Sequence, residues 1–230
     1  MTISPPDPAN DASGHRARLR GRLIEGGPEA LLDHELIEYL LALAIPRKDT
    51  KPMARALLAE FGGLGPLLSA DTGALARAGL TDGVIAALKI AEASALRLLR
   101  TEISQRDVLS NWQALNNYLH ADMAHRAVER VRVLHLNSKN VLIRDELMSE
   151  GSIDQAAIHV RMVIKRALEL GSAALIIVHN HPSGDPEPSR QDVALTKELI
   201  AAAKPLGISV HDHIVVGAKA QASLRALGLI

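Results

Sequence analysis

The first hundred residues carry apolar side chains on a helical period and show no strand pattern. The stretch 33–45, "DHELIEYLLALAI", repeats apolar residues every three to four positions, and Pro46 follows it as a helix terminator. The stretch 49–63 repeats this scheme and closes on a pair of glycines. After two shorter helical segments, residues 83–105 predict one long amphipathic helix. We therefore predict an all-helical first half.

From about residue 128 the pattern changes to alternation and short apolar runs. Residues 172–180, "SAALIIVHN", are largely apolar, which is typical of a strand buried on both faces. The predicted elements, in order, are a hairpin of strands 129–137 and 140–148, helix 154–171, strand 172–180, helix 189–207, strand 208–217 and helix 220–228. Strands interleaved with helices indicate a sheet with helices packed on it.

The change of pattern divides the chain into three parts. Residues 1–14 are polar and rich in proline, which predicts a disordered tail. Residues 15–106 form the predicted all-α domain, and residues 107–230 form the predicted α/β domain. The expected fold class is α/β, with a small helical domain in front.

Composition narrows the classes of function. The 26 basic and 26 acidic residues balance, so net charge gives no support for a strong nonspecific grip on nucleic acid. One Trp, one Phe and two Tyr leave few rings for stacking on bases. The absence of cysteine excludes disulfides and thiolate metal sites and suits a reducing compartment. No apolar run approaches the ~20 residues of a spanning helix, and the polar start lacks the apolar core of a signal peptide. We expect a cytoplasmic protein with no membrane partner.

The stretch 178–192, "VHNHPSGDPEPSRQD", carries the candidate chemistry. His179 and His181 end a predicted strand, and residues two apart on a strand point to the same side. Asp192 follows in the first turn of the next predicted helix. Two imidazoles and one carboxylate suit zinc and leave a fourth position for water, whose pKa the metal lowers towards ~7. The spacing predicts a zinc site built to make a nucleophile.

Ser189 has two interpretations. It stands three residues before Asp192, which is the spacing of a helix-capping box. Its hydroxyl can equally face the metal pocket and stabilise an oxyanion during catalysis. Both roles remain open at the level of sequence.

Ten histidines in one chain make chance pairs common, so the alternative is that the pair is structural. His211 and His213 have the same spacing, but no carboxylate follows them at a helix start. We interpret His211 as structural and His213 as a residue near the site. For His179, His181 and Asp192, the strand–loop–helix context favours a metal.

These residues also match a family signature. The pattern His-x-His-Pro, six residues, Ser, two residues, Asp resembles that of the JAMM (MPN-plus) metalloproteases, and the positions here are His179, His181, Pro182, Ser189 and Asp192. The loop "PSGDPEPS" is similar to that of the bacterial RadC family, and the resemblance extends over nearly the whole chain. It implies a cytidine-deaminase-like α/β/α (JAB/MPN) domain that holds one zinc ion through His179, His181 and Asp192.

The resemblance further implies an upstream glutamate that acts as general base and then acid. Glu129, at the start of the first strand, stands at the matching place, while Glu146 and Glu150 on the second strand are rivals. One position departs from the usual pattern, because Asn180 stands where JAMM enzymes carry Ser or Thr. Substrate contacts of the deubiquitinases in that class therefore do not transfer.

The N-terminal domain looks like a helix-hairpin-helix module, which grips a DNA backbone through Gly-rich turn amides. The candidate hairpin is 78–89, with Gly79 and Gly83, but Asp82 places a negative charge where phosphate would lie. The best basic cluster is 15–22, "HRARLRGR". A helical packing or protein-interaction domain is the competing interpretation.

Two functions follow from these patterns. The first is a zinc-dependent, metallopeptidase-like hydrolase that cleaves an amide or isopeptide bond in a protein or peptide. The alternative is a DNA-binding accessory protein of repair or recombination, in which the metal site is structural or vestigial. A zinc nucleobase deaminase is excluded, because its paired cysteines are absent. The HNH nucleases are also set aside, because their three residues are spread over a ββα unit and are not consecutive.

Overall fold

The computed structural model describes residues 8–104, 107–151 and 159–230. The chain forms two compact units, residues 1–93 and 94–230. Half of the predicted tail, residues 1–7, lies outside the described residues, and the first helix begins at Pro8. The predicted boundary at 106/107 falls just after the long helix that runs from the first unit into the second. That helix is continuous because no Gly or Pro interrupts it after Gly83.

The first unit is helical, as its apolar period predicts. Its helices are α1 (Pro8–Gly26), α2 (Asp33–Ala44), α3 (Lys51–Phe61), α4 (Leu64–Ser69), α5 (Thr72–Arg77) and the start of α6 (Asp82–Ser104). Helix α3 ends at Gly62, whose φ of 84° is the left-handed conformation that favours glycine at a helix end. The unit has its own core, in which Leu41, Leu67, Leu75 and Leu88 are fully buried.

The second unit is built on one mixed sheet. Its elements are the rest of α6, α7 (Trp112–Met123), β1 (Glu129–Leu136), β2 (Leu142–Gly151), α8 (Val160–Glu169), β3 (Ala174–Asn180), α9 (Arg190–Ala203), β4 (Ser209–Val216) and β5 (Gln221–Ser223). The strand order is β2-β1-β3-β4-β5, and only β3 and β4 run parallel to each other. This unit confirms the predicted α/β class, in which a helical region precedes a sheet domain.

Strand β3 lies in the middle of the sheet, and every one of its residues is buried. One set of its side chains, including Ile176 and Val178, packs in a core with residues of α7. The alternate set, including Leu175 and Ile177, packs in a second core with residues of α8 and α9. Helices cover both faces, which explains why the strand reads as an apolar run and does not alternate.

Three parts of the second unit differ from the sequence prediction. The closing helix predicted over 220–228 is wrong, because Gln221–Ser223 forms strand β5 on β4 and a turn follows. The buried carboxylate of Asp212 accepts hydrogen bonds from the Ser223 hydroxyl (2.5 Å) and the Arg225 backbone N–H (3.1 Å), and these hold the segment out of a helix. Helix α7 was not predicted. Helix α8 begins at Val160, and residues 154–158 of the predicted helix lie outside the described part.

Within the described residues, none of the helices has the length and apolar character needed to cross a membrane.

Candidate metal centre

The C-terminal end of β3 supplies two histidines to one side of the sheet edge. His179 is the next-to-last residue of the strand, and its side chain is 2% exposed. His181 follows the strand, and its side chain is 20% exposed. Because β3 is held between β1 and β4, the backbone that carries both rings is fixed on either side.

The first turn of α9 supplies the carboxylate. Ser189 is the N-cap residue, and its hydroxyl oxygen accepts the Asp192 backbone N–H at 3.1 Å. In return Asp192 Oδ2 accepts the Ser189 backbone N–H at 2.7 Å and the Ser189 hydroxyl at 2.6 Å. The capping box thus fixes the Asp192 side chain as well as the helix start. The hydroxyl of Ser189 points its proton at the carboxylate of Asp192.

Three ligand atoms converge at this point. His179 Nε2 lies 2.9 Å from His181 Nε2 and 3.3 Å from Asp192 Oδ1, and His181 Nε2 lies 3.8 Å from Asp192 Oδ2. Ligand atoms at ~2.0–2.1 Å from a tetrahedral zinc ion are about 3.3–3.4 Å apart, which falls within this range. Two imidazole nitrogens and one carboxylate oxygen therefore match zinc both in chemistry and in spacing.

The far nitrogen of the His181 ring is already committed. Its Nδ1 lies 2.8 Å from the Asp185 carbonyl oxygen, which can only accept, so Nδ1 carries the proton. In the neutral ring Nε2 is then a free lone pair that faces His179 and Asp192. This backbone contact is the usual way in which proteins orient a histidine ligand.

The charges in the site keep the carboxylate ionised. Burial by itself raises the pKa of Asp192, but the His179 and His181 imidazoles beside it outweigh burial and hold that pKa well below its usual range. The same Asp192 carboxylate raises the pKa of His181. The carboxylate is therefore available as an anionic ligand across the physiological pH range.

Glu129 lies beside this centre. It is the first residue of β1, two positions before Val131, which pairs with His179 across the sheet. Residues opposite each other, or two apart on one strand, share a face, so Glu129 is on the His179 face. Burial raises the pKa of Glu129, while the charges of His179 and His181 oppose that rise.

The two rival glutamates are engaged elsewhere. Glu146 binds Arg166 on α8 at 2.7 Å, and Glu150 binds Arg130 at 3.0 Å. The pKa shift of Glu129 includes electrostatic contributions from His179, His181 and Asp192. This geometry favours Glu129 among the three.

Asn180, the departure from the usual signature, is 1% exposed and bridges to the chain on either side of Glu129. Its Oδ1 accepts the Arg130 backbone N–H at 2.8 Å, and its Nδ2 donates to the Val128 carbonyl at 3.1 Å. The amide therefore ties the end of β3 to the backbone that carries Glu129. Sequence reasoning noticed Asn180 but not this contact.

The loop between the histidines and Asp192 is anchored on the end of β4. The Gly184 carbonyl accepts the Ala218 N–H at 3.0 Å, and the His181 N–H donates to the Val216 carbonyl at 3.0 Å. A Cβ at Gly217 would lie 2.5 Å from the Gly184 carbonyl oxygen, so only glycine permits this approach. The loop is fixed by backbone contacts as well as by its prolines.

Two further residues line the buried side of the centre. His213 on β4 is 1% exposed and contacts His179, and Thr196 on α9 is 1% exposed and contacts His213. The sequence placed His213 near the site but missed Thr196, although Thr196 follows Asp192 by one helical turn. The other member of that pair, His211, instead contacts Asn140 at 2.8 Å.

In the N-terminal unit the candidate hairpin segment 78–89 joins α5 to α6 through Gly79, whose φ is 80°. Its cation Lys89 is engaged, because its ammonium donates to the Leu68 carbonyl (2.7 Å) and to Glu92 (2.8 Å). In the basic cluster 15–22, Arg22 forms an ion pair with Glu35 at 2.6 Å. These contacts serve the packing of the unit.

A cavity of about 840 Å³ in the second unit lies at the opposite end of β4 from the metal centre. Its lining includes Trp112, Ile200 and Val210. Two of its polar groups are used internally, since Arg225 donates to the Val210 carbonyl at 2.8 Å and Asp212 binds Ser223. The cavity and the cluster of ligand atoms thus lie at different places in the second unit. We take the cluster as the candidate site, because converging metal ligands are more specific than an apolar cavity.

A sheet domain with a His-x-His strand end facing a helix-start aspartate is the arrangement of a JAB-type domain. A family model described as a RadC-like JAB domain matches residues 109–229. A UPF0758 protein of Rhodobacter capsulatus is 50% identical over 213 residues, covering 92% of this chain and 100% of that protein. A UPF0758 protein of Ruegeria pomeroyi is 48% identical over 217 residues, covering 94% and 97%. The chain belongs to the RadC family.

Proposed function

We propose that this protein is a cytoplasmic zinc-dependent hydrolase that cleaves an amide or isopeptide bond in a protein or peptide. The observation that carries the proposal is the convergence of His179, His181 and Asp192 beside the partly buried Glu129. A zinc ion bound there supplies Lewis-acid chemistry, lowering the pKa of water and polarising a substrate carbonyl.

Within this proposal Glu129 moves the proton. The carboxylate accepts a proton from the attacking water as the new C–O bond forms, and it gives that proton to the amine as the C–N bond breaks. Its raised pKa suits both steps, because a weakly basic carboxylate would hold the proton too briefly to return it. Asn180 holds the backbone on either side of Glu129 in place.

For Ser189 we propose a positioning role, because its hydroxyl donates to Asp192 at 2.6 Å. The alternative, a donor to the developing oxyanion, requires this hydroxyl to leave Asp192 during the reaction. If Ser189→Ala lowers kcat strongly while the free energy of unfolding stays unchanged, that alternative is favoured.

The test is metal content followed by hydrolysis. The full chain, purified without chelator, should carry about one zinc per molecule, and a His179→Ala/His181→Ala variant should carry none. Wild-type protein loaded with zinc should cleave members of a fluorogenic peptide and isopeptide panel, and the double variant should not. A wild-type protein that neither contains nor takes up zinc would overturn the proposal.

The DNA-binding alternative has a distinct outcome. It predicts salt-dependent binding of duplex DNA that the double variant retains, with no hydrolysis across the panel. The engaged side chains of Lys89 and Arg22 do not favour it.

A further inference from the structure

A chain of three short hydrogen bonds runs from the His179 ring to the backbone of α9. His179 Nδ1 lies 2.7 Å from His213 Nε2, and His213 Nδ1 lies 2.6 Å from Thr196 Oγ1. Thr196 Oγ1 lies 2.5 Å from the Asp192 carbonyl oxygen. All three side chains are buried, with His179, His213 and Thr196 each no more than 2% exposed. The chain therefore starts at one metal-ligand candidate and ends on the backbone of another.

The direction of each bond follows from counting hydrogens, beginning at the carbonyl. A carbonyl oxygen can only accept, so the 2.5 Å contact requires the single hydroxyl proton of Thr196. Because the hydroxyl proton is donated to the carbonyl, Thr196 Oγ1 can only accept a hydrogen bond from His213. Nδ1 of His213 must therefore carry a proton to make its 2.6 Å contact.

The same count of hydrogens applies to the His213 ring and its contact with His179. A neutral His213 that is protonated on Nδ1 has a bare Nε2, which can only accept. The 2.7 Å contact then requires a proton on His179 Nδ1. In the neutral His179 ring this leaves Nε2 as a lone pair, and Nε2 is the atom that faces His181 and Asp192. Since the neutral His181 ring also has a lone pair on Nε2, the 2.9 Å between the two Nε2 atoms is a distance between two ligand atoms and not a hydrogen bond.

We propose that His213 and Thr196 are positioning residues, which hold His179 in the tautomer that presents Nε2 to the metal. The inference rests on the proposed zinc site, because that site is what the tautomer serves. Thr196 lies one turn after Asp192, so the network also ties the His179 ring to the first turn of α9. The network therefore fixes the positions of His179 and Asp192, two of the three ligand candidates, relative to each other.

His181 reaches the same tautomer by a simpler route. Its Nδ1 contacts the Asp185 carbonyl directly, on the loop side of the centre. Within the described part of the chain, the buried His179 ring contacts His213 through Nδ1 in place of a loop carbonyl. One ligand is thus oriented by the loop and the other by the two elements behind it, β4 and α9.

The first experiment measures the tautomers of zinc-free wild-type protein. Long-range ¹H–¹⁵N spectra of the full chain with ¹⁵N-labelled histidine, at a pH where the rings are neutral, report which nitrogen carries the proton. We expect His179 and His213 both to be protonated on Nδ1. A His179 ring protonated on Nε2 would overturn the inference without any substitution.

The second experiment removes the hydroxyl that sets the direction. Thr196→Val keeps the shape and leaves His213 Nδ1 without an acceptor. We expect the zinc dissociation constant, measured by competition with a chromophoric chelator, to rise about 10–100-fold, the usual effect of losing an outer-shell partner. Thr196→Ser restores the hydroxyl and should bind zinc within about threefold of wild type, allowing for the lost methyl group.

A matched control lies on another part of the same sheet. His135 is 0% exposed, and its Nδ1 lies 3.0 Å from the Ser172 hydroxyl, so Ser172→Ala also removes a hydroxyl from a buried histidine. The Ser172→Ala variant should bind zinc with the affinity of wild type. A Thr196→Val protein that binds zinc as tightly as wild type would refute the role of the network.

The two proposals fail in different ways. Wild-type protein that binds no zinc contradicts the proposed function, while the tautomer measurement still decides the direction of the network. Wild-type protein that binds zinc with an affinity independent of Thr196 contradicts only the network. If Thr196→Val does not fold, His213→Gln provides the second variant, since its amide can accept from His179. We expect His213→Gln to retain zinc more tightly than His213→Leu, and equal affinities would refute the role of His213.

Discussion

The two faces of the sheet each bury a cluster of polar side chains, and the clusters differ in where their positive charge comes from. On the α7 face, Arg132 binds Asp145 at 2.7 Å and Asp122 at 2.9 Å, and the Tyr118 hydroxyl donates to Asp145 at 2.5 Å. We call these four residues the α7-face cluster. Its arginine lies between two carboxylates, so the chain itself supplies the cation.

On the opposite face the carboxylate of Asp192 meets two imidazoles and Ser189. With His213 and Thr196 behind them and Glu129 beside them, these residues form the α9-face cluster. Glu129 and Asp192 are acidic, and the contacts of the Asp192 carboxylate within the described residues come from imidazole, hydroxyl and backbone N–H groups. Under the proposed function, a zinc ion held by His179, His181 and Asp192 would supply the cation of this cluster.

This difference separates a structural polar cluster from a site. Both clusters contain carboxylates that are at least partly buried, and their desolvation costs free energy. In the α7-face cluster the compensation is internal, so it contributes to the fold at all times. In the α9-face cluster the imidazoles beside Asp192 already offset part of that cost, and under the proposed function a bound zinc ion would add to this and couple binding to the arrangement of the residues.

The largest expected effect is on catalysis, within the α9-face cluster. Glu129→Gln keeps the shape and removes the base, so the hydrolysis rate should fall about 10²–10⁴-fold. Zinc content should stay near one per molecule, because Glu129 is not among the three ligand candidates. Loss of zinc together with activity would instead make Glu129 part of the metal-holding set. The matched control is Glu150→Gln, which should keep the rate.

The next effect compares removal of one charge from each cluster. Arg132→Met removes the arginine that the buried carboxylates of Asp145 and Asp122 share, and it should lower the free energy of unfolding by about 3–5 kcal/mol. Asp145 keeps the Tyr118 hydroxyl, and Asp122 keeps Arg126 at 3.4 Å. Asp192→Asn keeps an acceptor for the helix cap and loses the ionic contacts to the two imidazoles, so in zinc-free protein it should lower the free energy of unfolding by less than Arg132→Met does. Urea unfolding measures both. Equal losses in the two variants would remove the distinction between the clusters.

A smaller effect appears in alkaline solution. Burial, and then the Asp145 charge, raise the pKa of Tyr118 above its usual ~10. Because the folded pKa is the higher one, this contribution to stability is present below pH ~10 and is lost as pH rises above it. Tyr118→Phe should be less stable than wild type near pH 7 by about 1.5–3 kcal/mol, for a hydrogen bond to a charged group.

The difference between the two proteins should shrink above pH ~10, where the wild type pays the cost of keeping Tyr118 protonated. Unfolding curves between pH 7 and 11 check this prediction. A constant difference across that range would contradict the raised pKa.

The smallest effect concerns the helix start at the site. Ser189→Ala removes the cap and should lower the free energy of unfolding by about 0.5–2 kcal/mol, with modestly weaker zinc binding. Ser189→Thr retains a capping hydroxyl and should restore both. A fall in kcat of about 10²–10³-fold with unchanged stability would assign Ser189 to the oxyanion instead.

Local patterns were sufficient for most of the fold. The apolar period of α2 and α3, the hairpin of β1 and β2, and the apolar run of β3 each follow from which faces are buried. The prediction of a closing helix was wrong, although the spacing of Leu224 and Leu227 fits a helical period. The side chain of Asp212, which is distant in the chain, holds this segment in another conformation. Such a contact has no local signature.

For the site, the sequence by itself determined the ligand candidates, since His179, His181 and Asp192 lie within one strand–loop–helix stretch whose geometry is local. The sequence also named Glu129, through the family resemblance, and placed His213 near the site, but only the tertiary structure decided the contacts around the ligand candidates. Glu129 comes from β1, His213 from β4 and Thr196 from further along α9, and sheet pairing brings them together. Hydrogen-bond direction depends on these long-range contacts, because each proton is assigned by a neighbour that is distant in the chain or one helical turn away.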